Sequence, residues 1–129
     1  MFTHTVTPSV TTPGGQVSVP QVKLTAGSER NIDELIPIGA TDLEVNFQLA
    51  VAKCVSFWVS CDQPLALHFN VAVAGTPNLP LLANVPYQWY TGNYATFLLT
   101  VDVTTLFVTN ASGVDAVLRI RALEDPTTP

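Results

Sequence analysis

The chain carries little charge for its size. Only 12% of its 129 residues are Asp, Glu, Lys or Arg, whereas 47% are hydrophobic; an average globular protein has about 25% charged residues. Disordered chains are rich in charged residues and poor in hydrophobic ones. Since this chain shows the reverse, we expect one domain folded around one core. Because charged side chains normally cover a monomer's surface, their shortage indicates that partners cover part of this one.

Clustered positive charge is also missing. The net charge is −5, and of the five basic residues only Arg119 and Arg121 lie close in sequence. Binding to the nucleic-acid backbone requires clustered Lys or Arg, and an acidic surface is repelled by anionic lipid. No apolar run approaches the roughly 20 residues that cross a bilayer. We therefore expect neither nucleic acid nor a membrane as partner.

Export and metal signals are equally scarce. Residues 1–6 contain no basic stretch followed by an apolar run, so no signal peptide is predicted and the expected compartment is the cytoplasm. Cys54 and Cys61, the two cysteines, would lie on opposite faces of a continuous strand and about 23 Å apart, too far for a disulfide. We expect two buried free thiols and no metal site, since further ligands are lacking nearby.

What the chain does have is a strong period of two. Apolar and polar residues alternate along Leu43–Leu49, Val55–Cys61 and Leu65–Val73, as in half-buried strands. Phe97–Val103, Leu106–Thr109 and Ala116–Ala122 are further predicted strands, and the turn at 62–64 predicts a hairpin. Ile32–Ile38 predicts a short strand that stops at Pro37, and at most one helical turn fits near Ile32–Leu35. About eight strands predict an all-β, two-sheet antiparallel sandwich, with a jelly roll as the preferred topology.

Three regions follow from composition. Residues 1–15, rich in Thr and Pro and ending in Gly14-Gly15, predict an extended N-terminal arm. Residues 16–123 form the predicted sandwich, in which Pro20 and a switch of parity indicate a bend or bulge. Residues 124–129 predict a loose tail.

No catalytic, cofactor-binding or metal-binding constellation is visible, so we expect no enzyme. His4 lies in the arm, and His68 is expected at the surface or an interface. The closest carboxylates, such as Asp33-Glu34, are expected to be solvated, and no pair is marked as a glycosidase pair. Asn110-Ala111-Ser112 matches a glycosylation sequon, but the segment predicts a turn.

The aromatic residues are the most suggestive candidates. Trp58 alone breaks the polar face of its strand, and Tyr87, Trp89, Tyr90 and Tyr94 crowd within eight residues. Three interpretations stay open: filling of the core, a protein interface, or a platform on which sugars stack.

The segments Leu81–Tyr90 and Thr105–Arg121 resemble the capsid cement, or decoration, proteins of tailed bacteriophages. The resemblance implies a protein on the outer capsid, often a trimer, that binds the major capsid protein and clamps capsomers together; it implies no catalytic residues and no cofactor. The expected mechanism places Phe2, Val6 and Val10 of the arm in strand addition to a neighbour's sheet edge, repeated over many copies. The alternative is a carbohydrate- or receptor-binding module that uses Trp58 or the Tyr87–Tyr94 cluster.

Overall fold

Two antiparallel sheets of four strands each form the body of the protein. The computed structural model describes residues 2–7, 9–18, 22–72 and 79–125, with the backbone alone for residues 9–12, 16–18 and 22. The strands of these residues are β1 (Phe2–Val6), β2 (Ser9–Thr12), β3 (Gly15–Ser18), β4 (Val22–Ala26), β5 (Ser28–Ile36), β6 (Leu43–Val45), β7 (Cys54–Cys61), β8 (Leu65–Phe69), β9 (Leu79–Leu81), β10 (Tyr87–Tyr90), β11 (Leu106–Thr109) and β12 (Ala116–Glu124). The first sheet has the order β10-β7-β12-β5, and the second β6-β11-β8-β9.

The inner faces of the two sheets enclose one core. In β12, Leu118 and Ile120 are fully buried, and in β11 the same holds for Leu106 and Val108. These residues recur at every second position because successive side chains of a strand point to opposite faces. The predicted all-β sandwich is therefore confirmed, and within described segments no helix is long and apolar enough to cross a membrane.

The chain crosses between the sheets at almost every connection. From β5 to β12 it alternates between the first and second sheet, except that β8 and β9 are neighbours in the second. The loops therefore gather at two ends of the sandwich. We call them the Ile38 end (loops 37–42, 62–64, 82–86 and 110–115) and the Val101 end (loops 46–50, 70–72 and 91–105).

Two local predictions are wrong. The turn at 62–64 joins strands of different sheets and not a hairpin; Asp62 Oδ1 accepts a hydrogen bond from the Val117 amide of β12 instead. Phe97–Val103 is a loop, held by a bridge between Leu49 and Val103. The short strand predicted over Ile32–Ile38 falls on β5, which starts earlier, at Ser28, ends at Ile36 and pairs with β12 along its whole length.

A β-bulge in β7 changes which faces the cysteines occupy. Ser56 lies opposite Leu123 but Cys54 lies opposite Glu124, so Val55 is an extra residue on β7. The extra residue interrupts the alternation of faces, and both cysteines join the same core. The prediction of opposite faces is wrong, whereas that of two buried free thiols is confirmed. Burial raises the pKa of Cys54 to about 12 and raises that of Cys61.

The N-terminal strand is attached to its own chain. β1 pairs with β4, and this ribbon covers part of the outer face of the first sheet. Val6, Leu24 and Ala26 form a second, smaller core there with Leu123 of β12. Val55 and Tyr90 pack against it.

This attachment differs from the separate arm expected at residues 1–15. Phe2–Val6 is extended, and it pairs with β4 of the same chain, where Val6 packs with Leu24, Ala26 and Leu123. The expected boundary at 15/16 falls inside the β2–β3 hairpin, whose Gly15 has φ 122°. The bend at Pro20 and the tail residues 126–129 lie outside the described residues. Glu124, assigned to the tail, is a buried member of β12.

Candidate functional site: a groove beneath the first strand

An open groove runs between β1 and the outer face of the first sheet. Its volume is about 450 Å³, within the range of roughly 300–1,000 Å³ that small-molecule sites occupy. We call it the Trp58 groove and define it by its lining: Thr3–Val6 of β1, Glu29 of β5, Ser56 and Trp58 of β7, Gln88 of β10 and Arg121 of β12.

The floor of the groove is one cross-strand row. Trp58 lies directly opposite Gln88 on one side and Arg121 on the other, so the three side chains stand next to one another on the outer face. The Arg121 guanidinium is fixed by two hydrogen bonds to the Asp33 carboxylate, at 2.9 and 3.0 Å, and donates to the carbonyls of Ile32 and Ile120. The row is therefore rigid on the Arg121 side.

His4, Ser56 and Glu29 form one group of polar contacts in the lining of the groove. Nδ1 of His4 lies 3.1 Å from the Ser56 hydroxyl, and Nε2 lies 3.6 Å from a Glu29 carboxylate oxygen. The carboxylate favours the ring proton on Nε2, so Nδ1 accepts from the Ser56 hydroxyl. Burial lowers the pKa of His4 below its ordinary value, although Glu29 opposes this shift.

These three residues are the types of a nucleophile–base–acid triad, but their setting differs from that of an acyl-transfer site. Ser56 is only 2% exposed. It lies in β7 between β10 and β12, so the sheet ladder occupies its backbone N–H, which an oxyanion site would require free. His4, Ser56 and Glu29 are better explained as polar contacts that hold β1 on the outer face of the first sheet.

The structure separates the aromatic residues that the sequence places together. Tyr87 and Trp89 pack against the main core; Trp89 stacks on Phe97 at 4.5 Å and donates its indole N–H to the Ala95 carbonyl. Tyr90 packs against the second core, and Tyr94 is fully exposed. Only Trp58 enters the groove, so the Tyr87–Tyr94 cluster is not one platform.

The three candidate residues of the arm are also dispersed. Val6 is buried in the second core, whereas Phe2 is 45% exposed on the ribbon. Val10 lies in β2, where the structure describes the backbone but not the side chain. Sequence reasoning missed the groove residues around Trp58 because their proximity depends on the strand register. The visible signals were Trp58, which breaks the polar face of its strand, and the polar Gln88 between two core aromatic residues.

His68 is buried within the chain, whereas the sequence pattern predicts it at the surface or an interface. Its side chain is 8% exposed, and Nδ1 lies 3.8 Å from Asp42 Oδ1. Within the described residues neither ring nitrogen has a hydrogen-bond partner. It lies opposite Phe107 on the outer face of the second sheet. The alternation of apolar and polar residues therefore correctly predicts the face on which His68 lies, but it does not predict that this side chain is buried.

Large apolar side chains are exposed at both loop ends of the sandwich. Leu35, Ile38, Leu82, Val85 and Val114, at the Ile38 end, are 48–65% exposed. At the Val101 end, Val71, Leu98 and Val101 are 41–68% exposed and line one groove of about 300 Å³. Isolated exposed apolar residues are ordinary, but groups of them mark contact surfaces.

Both ends are held in place by buried or bridging amides. At the Ile38 end, the buried Asn110 amide donates to the carbonyls of Ile36, Pro37 and Val114, while its oxygen accepts from the Ser112 amide and hydroxyl. This confirms the interpretation of the sequon as a turn. At the Val101 end, Asn70 accepts from the Thr104 amide and donates to the Asp102 carbonyl.

In the described part of the chain, no group of three or more His, Cys, Asp or Glu side chains could hold a metal ion. No family model, no curated protein and no solved structure matches this chain.

Proposed function

We propose that this chain is a structural virion protein that binds the outer surface of an icosahedral phage capsid. Its partner is the major capsid protein, and its action is to stabilise contacts between capsomers. The observation that carries the proposal is the exposure of apolar side chains at both loop ends of the sandwich.

Two opposite contact surfaces are what a clamp requires. A protein that joins neighbours must contact at least two of them, and burial of apolar surface contributes about 25 cal/mol per Å². Asn110 holds the loops that carry Ile38 and Val114, and Asn70 holds the loop that carries Val101. For these residues, little conformational entropy is lost when a partner docks. The low proportion of charged residues agrees with surfaces that are covered in the assembly.

The strand order gives further support. Numbered one to eight from β5 to β12, the strands have the order 6-3-8-1 in the first sheet and 2-7-4-5 in the second. This order favours the jelly-roll interpretation, an architecture that occurs in viral capsid and lectin domains. Since a fold alone does not define a function, the contact surfaces carry the argument.

The test is re-binding to particles from which the chain has been stripped. Ile38→Asn/Val85→Asn changes the Ile38 end, and Leu98→Asn/Val101→Asn changes the Val101 end. The matched control is Thr25→Asn, at an exposed position of β4 that belongs to neither group of apolar residues. We expect the control to co-sediment with capsids like the wild type and at least one end variant to lose about tenfold in affinity or more.

Equal binding of wild type and both end variants would overturn the proposal. Far-ultraviolet circular dichroism of each variant shows whether it is folded. The expected homotrimer is tested separately by the mass of the chain in solution, before and after the same substitutions.

A further inference from the structure

We infer that the Trp58 groove binds a neutral saccharide, one or two pyranose rings long. This inference concerns a different surface from the two loop ends and does not depend on the capsid proposal. It starts from Trp58, whose position on a polar sheet face the core does not explain.

The indole of Trp58 is left without a partner of its own. Within the described residues it stacks on no aromatic ring, and no hydrogen bond is made by its Nε1–H. Trp89, in contrast, uses both its ring face and its N–H internally. Trp58 therefore offers the groove an apolar face and a hydrogen-bond donor together.

Polar groups flank this face on both sides. Gln88 is exposed, and no protein group in the described chain satisfies its side-chain amide. Arg121 is held rigidly by Asp33 and two carbonyls, which leaves its Nε–H unused among the described contacts. A flat apolar surface bordered by donors and acceptors matches a pyranose ring, whose C–H face is apolar and whose hydroxyls lie around its edge.

The charge of the groove favours a neutral ligand. Its lining contains one cation, Arg121, and one carboxylate, Glu29. Arg121 is already paired with Asp33, so an anionic ligand would meet an occupied guanidinium and a repelling carboxylate. Nucleic acid and anionic lipid therefore fit poorly.

An extended peptide added along β1 is the competing occupant, because β1 lines the groove with four consecutive residues. The polar, shallow floor offers such a peptide no deep pocket for side chains. Specificity in strand addition depends on such pockets, so the floor favours the saccharide.

The experiment is nuclear magnetic resonance of the full ¹⁵N-labelled chain with neutral disaccharides. The probes are cellobiose, maltose, lactose, mannobiose and chitobiose at millimolar concentration. The two tryptophans give two indole N–H signals. We expect at least one disaccharide to shift the signal of Trp58 while that of Trp89 stays in place.

Variants decide whether the groove is responsible. Trp58→Ala and Gln88→Ala should each weaken binding about tenfold or more, and Trp58→Phe keeps the ring should the alanine variant fold poorly. The matched control, Tyr94→Ala, removes an exposed aromatic outside the groove and should leave binding unchanged. The inference is overturned if no disaccharide shifts Trp58, if binding survives Trp58→Ala and Gln88→Ala, or if only extended peptides shift Trp58.

Discussion

Single buried polar residues hold the loops of this protein in place, and Asn110 is the strongest example. Its amide donates to the carbonyls of Ile36 at the end of β5, of Pro37 and of Val114, and its oxygen accepts two hydrogen bonds. The sequence marks it only as part of a turn. Nothing in the sequence shows that it also joins the β5–β6 loop, because this contact spans more than seventy residues.

Removing this side chain should be costly. We expect Asn110→Ala to reduce the free energy of unfolding by about 3 kcal/mol, because buried carbonyls lose their donors. The matched control is Asn93→Ala, whose one exposed hydrogen bond to the Ala95 amide predicts a loss below about 1 kcal/mol. Urea denaturation of both variants measures the difference. Similar losses in the two variants would contradict this role of Asn110.

His4 gives the molecule a predicted dependence on pH. Burial lowers its pKa in the folded state below 6.5, so the folded chain binds fewer protons than the unfolded chain at mildly acidic pH. The stability that neutral His4 contributes is therefore present above about pH 6.5 and decreases as the pH falls. Urea denaturation at about pH 7.5 and about pH 5.5 measures this change.

The control is His4→Gln, which keeps polar contacts to Ser56 and Glu29 but does not titrate. It should lose less stability between the two pH values than the wild type. Since His68 is present in both proteins, its contribution cancels in the comparison. An identical loss in both proteins would show that His4 does not cause it.

At the scale of elements, the period of two correctly predicts most strands and their inner faces. Val45, Phe47 and Leu49 are buried although the strand itself ends at Val45, since alternation reports on burial and not on hydrogen bonding. The same pattern cannot show whether consecutive strands pair or cross between sheets. The predicted hairpin at 62–64 is wrong for this reason, and the bulge at Val55 leaves no mark in composition.

Strand β1 and the β2–β3 hairpin should differ in their effect on stability. β1 buries Val6 against Leu24, Ala26 and Leu123, whereas β2 and β3 form a sheet of their own. Deleting residues 2–6 should cost about 2–4 kcal/mol through lost apolar burial. Replacing residues 9–18 with a short Gly-Ser linker should cost less than about 1 kcal/mol.

Chemical denaturation of the two deletion variants compares these costs. A larger loss from the linker replacement would show that the hairpin, and not β1, stabilises the sandwich. If the linker variant also binds capsids normally, the contribution expected of Val10 to binding is excluded, whereas Phe2 and Val6 of β1 are retained in this variant.

At the scale of the whole molecule, the low proportion of charged residues and the exposed apolar residues at both ends of the sandwich support the same proposal, that partners cover these ends. Composition predicts the covered surface but not its position, because exposed apolar residues such as Ile38 and Val101 lie in loops without periodicity. The groove likewise depends on register between β7, β10 and β12, which one sequence does not specify. Function in this protein is proposed from where side chains remain exposed, and not from a reactive group.

The location of the chain on virions tests the central claim most directly. Particles from lysed host cultures carrying the gene would be purified by density gradient and labelled with gold-conjugated antibody against the chain. If the chain binds the outer capsid surface, it co-sediments with the particles and gold marks the outer surface of the heads. A chain that stays in the soluble fraction, or gold confined to tails, would contradict the central claim.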